Sequence, residues 1–132
     1  MNKTINDFVT GVQHIGIPTN NIEETIAFYK AIGFEVIMET VNETANEKVA
    51  FLQNKNLVIE TYESKNATMK VGAIDPISMD VTDVDSVFSM IADNFNSLDK
   101  EVQFLPFWEN GVKFFTILGP NSEKIEFCER VK

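Results

Sequence analysis

From residue 12 to 17 apolar and polar side chains alternate, placing Ile15 and Ile17 on one side of a predicted strand and His14 and Gly16 on the other. Asn20 and Asn21 then offer an N-cap, and Glu23 and Glu24 suit the positive end of a helix dipole. Ile22, Ile26 and Tyr29 recur at helical spacing until Gly33, a residue suited to ending a helix. Three short strands are expected next, at 34–40, 48–53 and 56–62, the last two joined through a polar Asn54-Lys55 turn. In the third, Leu57 and Ile59 share one face, leaving Val58, Glu60 and Tyr62 on the other. The order is β-α-β-β-β.

The same order then begins again. Ile77, Met79 and Val81 face inward on a strand, and Val84, Val87, Phe88, Ile91 and Phe95 form an apolar stripe at i, i+3, i+4, i+7 and i+11 that predicts a helix. Strands are expected at 102–107, 112–118 and 123–130. HIGIPTNNIEETIAFY from His14 reads against PISMDVTDVDSVFSMI from Pro76, 62 residues on. NLVIETY around Glu60 reads against SEKIEFC around Glu126, 66 residues on, a difference that a few inserted loop residues reconcile. A repeat of this length means two copies of one supersecondary unit. With 132 residues the chain is long enough for one domain built of two modules, at about 10–63 and 73–132. The polar stretch 63–72, with Ser64, Lys65, Asn66 and Thr68, is the expected linker.

Charge narrows the function. A formal net charge of −9 argues against nucleic acid and anionic lipid as partners, and is compatible with a cationic ligand or a metal ion. Acidity also serves ordinary solubility. No apolar run approaches the roughly 18 residues that would span a bilayer, and the N-terminal residues lack a signal-peptide stretch, so a cytoplasmic address is expected. Cys128 is the only cysteine, which rules out an intrachain disulfide and a thiolate metal cluster. Within a strand pattern it reads as a small buried apolar residue before it reads as a reactive thiol.

Two β-α-β-β-β modules, the opening His14-Ile15-Gly16-Ile17 and the closing run GVKFFTILGPNSEKIEF together resemble the vicinal oxygen chelate superfamily, which includes glyoxalase I, extradiol dioxygenases, fosfomycin-modifying enzymes and bleomycin-binding proteins. Gly111 stands at the glycine of the family's closing pattern, Lys113 at its arginine, Pro120 at its proline, and Ile125-Glu126-Phe127 at its Ile-Glu-Leu. Gly119, Asn121, Ser122 and Glu123 depart from the family's loop. The resemblance implies an α+β fold in which the tandem βαβββ modules form a curved, eight-stranded mixed sheet, a cup with helices on its outer face. It places metal ligands on the cup floor at His14, Glu60, Pro76 and Glu126. Proline carries no donor atom. Asp75 and Asp80 are candidates to replace that ligand, although Asp80 better suits the lead into a helix and Asp75 would need a register shift.

Strand parity, read independently, sets His14, Glu60 and Glu126 opposite the aliphatic residues of their strands. One imidazole and two carboxylates suit Zn, Ni, Co, Mn or Fe with positions open to water. The plain alternatives are a hydrogen-bonded histidine on a half-buried sheet and glutamates in solvated cross-strand positions. Phe104, Phe107, Trp108 and Phe114 cluster in the second module, and residues 106–111 read as a hairpin loop at a pocket mouth, where Trp108 can stack on a ligand. Core packing or a subunit contact is the plainer account of the phenylalanines. Tyr62, Ser78 and Asp80 complete the ligand-facing set.

Two functions follow from the resemblance. One is a glyoxalase I-like, metal-dependent lyase or isomerase acting on the hemithioacetal of a 2-oxoaldehyde through an enediolate, with His14, Glu60 and Glu126 on the metal and Glu126 or Glu60 as base. The other is a metal-free protein that sequesters a small molecule between aromatic walls, as bleomycin-resistance proteins do. A regulatory or interaction role has no particular residue in its favour. The expected partner is a small-molecule substrate or ligand, with a second copy of the chain forming a homodimer.

Overall fold

A computed structural model of the chain describes residues 2–91 and 93–132; Met1 and Ala92 lie outside the described residues. The chain divides into two compact units, Met1–Ala67 and Thr68–Lys132. Each carries its own mixed sheet and one α-helix.

In the first unit a 3-10 turn at Ile5–Asp7 precedes β1 (Ile15–Thr19), α1 (Ile22–Ala31), β2 (Glu35–Asn42), β3 (Glu47–Asn54) and β4 (Leu57–Glu63). The strand order is β1-β4-β3-β2, with β1 parallel to β4 and the other pairs antiparallel. Ladder pairing of β1 begins at Ile15 with Ile59, so the strand starts later than alternation predicted, and Val12 is 82% exposed. Asn21 is the N-cap of α1, its side chain accepting from the Glu24 N–H at 3.1 Å. Gly33 follows the helix at φ +104, a conformation that spares glycine the Cβ clash. Ile22, Thr25 and Tyr29 are the buried stripe of α1; Tyr29 meets Phe34 edge-on at 5.2 Å above Ala50, Leu52 and Ile59 in the core.

The second unit repeats the plan as β5 (Ile77–Asp80), α2 (Val84–Ile91), β6 (Asn96–Ser97), β7 (Gln103–Leu105), β8 (Val112–Leu118) and β9 (Lys124–Arg130). Here β5 is parallel to β9, β9 antiparallel to β8, and both β6 and β7 pair with β8. The described residues thus hold nine strands where eight were expected, the addition being the two-residue β6. It stays short because the Asp99 carboxylate, at 2.8 Å, takes the Thr116 N–H that a longer strand would pair. β7 stops before Pro106, which has no N–H to donate. Phe95, the last member of the apolar stripe, lies past the end of α2 in a turn. The core stacks Phe115 on Phe127 at 5.2 Å and sets Phe88 edge-on to Phe115 at 5.0 Å, with Val84, Ile117 and Ile125 buried around them.

The repeat persists in a contact that alternation could not disclose. Glu63, at the end of β4, accepts the Ile22 N–H at 3.0 Å; Glu129, near the end of β9, accepts the Val84 N–H at 2.9 Å. Each carboxylate therefore satisfies an otherwise unpaired amide in the first turn of its own unit's helix and sits at the positive end of the dipole. Glu63→Ala and Glu129→Ala are each expected to lower unfolding stability by about 1–2 kcal/mol in urea titration, the range for losing a capping, charge-assisted hydrogen bond. Glutamine at either position should recover part of that loss.

Candidate functional site

Gly16 lies opposite Glu60 in the parallel pair of the first unit, and Ser78 lies opposite Glu126 in that of the second. The buried positions of β4 and β9 are Ile59 and Thr61, and Ile125 and Phe127. Strand parity turns Glu60 and Glu126 to the other face of each sheet, away from the helix.

In the first unit His14 stands just before β1, with its Nε2 3.4 Å from Glu60 Oε1 and its Nδ1 3.0 Å from the Gln13 side-chain oxygen. Its ring is edge-on to Phe51 at 5.3 Å, and Phe51 is the cross-strand neighbour of Glu60. Tyr62 follows Glu60 on the same face and is half-buried. A Cβ added at Gly16 would make only ordinary contact with the Tyr62 ring, at 3.8 Å. The glycine's effect is chemical: it gives Glu60 no hydroxyl partner on β1, and the carboxylate pairs with imidazole instead.

In the second unit the Ser78 hydroxyl donates to Glu126 Oε1 at 2.8 Å, and Thr116 faces Glu126 from β8. Pro76 precedes β5 and contributes no donor; Asp75, a candidate to replace it, is ion-paired with Lys124 at 3.5 Å. Asp80 and Phe114 flank Cys128 from the neighbouring strands. Two residues of the closing run, Lys113 and Glu123, make structural contacts. Lys113 pairs with Asp85 of α2, while the Glu123 carboxylate accepts the Asn121 N–H at 2.7 Å and closes the 119–123 loop that departs from the family pattern.

Phe107 and Trp108 are exposed in the hairpin loop between β7 and β8. Trp108 and Asp80 line an open cleft of about 950 Å³, together with Glu109, Arg130 and Lys132. The Arg130 guanidinium carbon lies 4.1 Å from the centre of the Trp108 ring. Phe51 and Arg130 were missed in the sequence. The first was legible only through the β3–β4 register, and the second through its place on the same face as Glu126 in β9.

Among the described residues, no three histidine, cysteine, aspartate or glutamate side chains form a group that could hold a metal ion. The first unit offers two donors, His14 and Glu60, and the second sets Glu126 against a serine hydroxyl. Pro76, at the fourth position that the resemblance implies, supplies no donor atom.

Burial pushes the Cys128 thiol above its ordinary range, and the nearby Glu126 and Asp80 charges push it further in the same direction. Little thiolate is present at neutral pH. The alkylation rate of Cys128 is expected to rise only at pH values above those of a free thiol. In Glu126→Gln, with one opposing charge removed, the midpoint should move down; measuring the iodoacetamide rate against pH checks both.

The sequence model of the Glyoxalase/Bleomycin resistance protein/Dioxygenase superfamily matches residues 11–121. No curated protein matches the chain. Among solved structures, a glyoxalase family protein from Enterococcus faecalis is similar at a TM-score of 0.74 and 18% identity, covering 92% of this chain and 99% of that one. A glyoxalase family protein from Bacillus cereus gives 0.71 and 16%, covering 98% and 100%. The fosfomycin resistance protein FosX from Listeria monocytogenes, crystallised with Mn(II) and sulfate, gives 0.70 and 16%, covering 93% and 94%. At these identities the structures share the fold alone. With the family pattern matched across most of its length, the chain belongs to the Glyoxalase/Bleomycin resistance protein/Dioxygenase superfamily.

Proposed function

We propose that the protein binds a small organic ligand without a resident metal ion, in the manner of the bleomycin-resistance branch of its superfamily. One observation carries this reading: each carboxylate at a family ligand position already has a partner within its own unit. His14 faces Glu60, Ser78 holds Glu126, and Pro76 supplies no donor. On the open face of the first unit, Glu60 stands among His14, Phe51 and Tyr62, a carboxylate bordered by rings. That combination favours an organic cation, which gains both a charge partner and a π-face. The net charge of −9 steers a cation in the same direction.

The convergence of His14 and Glu60 at 3.4 Å supports a second reading, a glyoxalase I-like lyase in which His14, Glu60 and Glu126 serve a divalent metal. Metal analysis separates the two. Purified protein reloaded with Zn, Mn, Co and Ni and then dialysed should retain far less than one metal per chain. In calorimetry the planar cation N-methylquinolinium should bind, and Glu60→Gln should weaken it by about tenfold, the effect of about 1.4 kcal/mol. Near-stoichiometric metal that is lost in Glu126→Ala would replace this reading with the lyase and direct assays to hemithioacetal isomerisation.

We also infer that two copies pair. The outer strand β2 supports this, because it leaves Ile37, Met38 and Val41 exposed along an unpaired edge. Light scattering after size exclusion should give twice the chain mass of 14.9 kDa, and a lysine at Met38 should shift the protein toward one copy.

A further inference from the structure

We propose that the cleft of the second unit is a recognition site for a small planar carboxylate, read by Arg130 presented on the face of Trp108. The site needs neither Glu60 nor Glu126.

Arg130 is the last residue of β9, and its guanidinium lies over the Trp108 ring at 4.1 Å. Among the described residues it forms no ion pair with a carboxylate, although Asp80, Glu109 and Glu129 all line the same cleft. Glu129 is occupied at the N-terminus of α2. A guanidinium held over an aromatic ring leaves N–H donors that can meet two carboxylate oxygens at once. A lysine in its place would offer charge without the fork.

The wall that carries Trp108 is a built one. The Val131 N–H donates to the Gly111 oxygen at 2.9 Å, tying the 106–111 loop to the chain just past β9. Gly111 has φ +90, and a Cβ there would fall 2.4 Å from the Phe104 ring, so the loop closes only on glycine. Trp108 itself is held at φ +63, an uncommon conformation for a bulky residue and one found disproportionately at ligand clamps. The residue stays 67% exposed beside Arg130, which leaves apolar surface next to the guanidinium. The ligand class follows: a carboxylate for Arg130 joined to a flat apolar body for the indole. A volume of about 950 Å³ is ample for one. The protein's overall negative charge is screened beyond about 8–10 Å at ordinary ionic strength, and the carboxylates of Asp80 and Glu109 in the cleft select against anions that cannot make the bidentate contact with Arg130.

Trp108 is the only tryptophan in the chain, so its fluorescence reports on this cleft. Full-length protein would be titrated with benzoate, benzyl alcohol and benzylammonium. Benzoate is expected to change the emission saturably, and the neutral and cationic probes to leave it unsaturated over the same range. Arg130→Lys, which keeps the charge and removes the fork, should raise the benzoate Kd about tenfold or more, and Arg130→Met should abolish the response. Thermal unfolding shows whether each variant folds; should the methionine variant fail, the lysine variant carries the test. Benzoate affinity within twofold of the parent in a folded Arg130→Lys variant, no saturable response to benzoate, or a saturable Trp108 emission change with benzylammonium at the affinity of benzoate would each overturn the assignment.

Discussion

The structure of each unit depends on a glutamate near the end of its last strand reaching the first amide of its helix. Glu63 meets Ile22 and Glu129 meets Val84, at 3.0 and 2.9 Å. The helix amides in its first turn have no partner inside the helix, and the dipole concentrates positive potential there. A carboxylate fixed by the sheet satisfies the amide and also decides where the helix lies on it. The parallel pairing of β1 with β4, and of β5 with β9, brings the strand before the helix beside the strand that supplies the carboxylate. Helix, strand and register are thereby set by one contact, made twice.

The same strands carry a second glutamate three residues earlier, and an odd spacing along a strand changes the face. Glu63 and Glu129 go to the helix side, Glu60 and Glu126 to the open side. Fold and site are therefore written in one short run of sequence without competing for the same surface. The open side is where the copies diverge. Gly16 leaves Glu60 to an imidazole, whereas Ser78 supplies a hydroxyl to Glu126 and Pro76 supplies nothing. Neither change disturbs the ladder, since a strand holds glycine or serine at that register with the same backbone pairing.

Much of the fold was legible because periodicity is a property of the chain alone. The order β-α-β-β-β, the Asn21 cap, the Gly33 stop and the limits of β8 could be read from alternation and turn residues. Misreadings occurred where a tertiary partner decides. Val12 alternates in phase but has no strand beside it, Phe95 continues a helical stripe that the backbone abandons, and β6 exists only because β8 offers it two residues of ladder. The residues facing Glu60 and Glu126 could be placed by parity, but their partners could not. Phe51 reaches Glu60 only through the register of a neighbouring strand, and Arg130 reaches Trp108 only because the loop folds back on the end of β9. The departure at 119–123 is likewise legible as a difference in sequence, and only the Glu123 carboxylate on the Asn121 amide shows that it serves the turn.

A shared scaffold leaves chemistry to a few side chains, and here those side chains differ between two halves of one chain. Metal binding needs several donors free to converge, and a donor already engaged must break its own hydrogen bond first. Glu60 faces the His14 imidazole at 3.4 Å and Glu126 accepts the Ser78 hydroxyl at 2.8 Å, an arrangement that suits the proposed recognition of a ligand that brings its own donors or charge. The Ser78–Glu126 hydrogen bond, at 2.8 Å, is short and directional, so the orientation it imposes on that carboxylate is itself a form of specificity. At Pro76 and Ser78 the second half differs from His14 and Gly16 of the first, and Ser78 holds Glu126 as a fixed acceptor while the parallel ladder is kept in both halves.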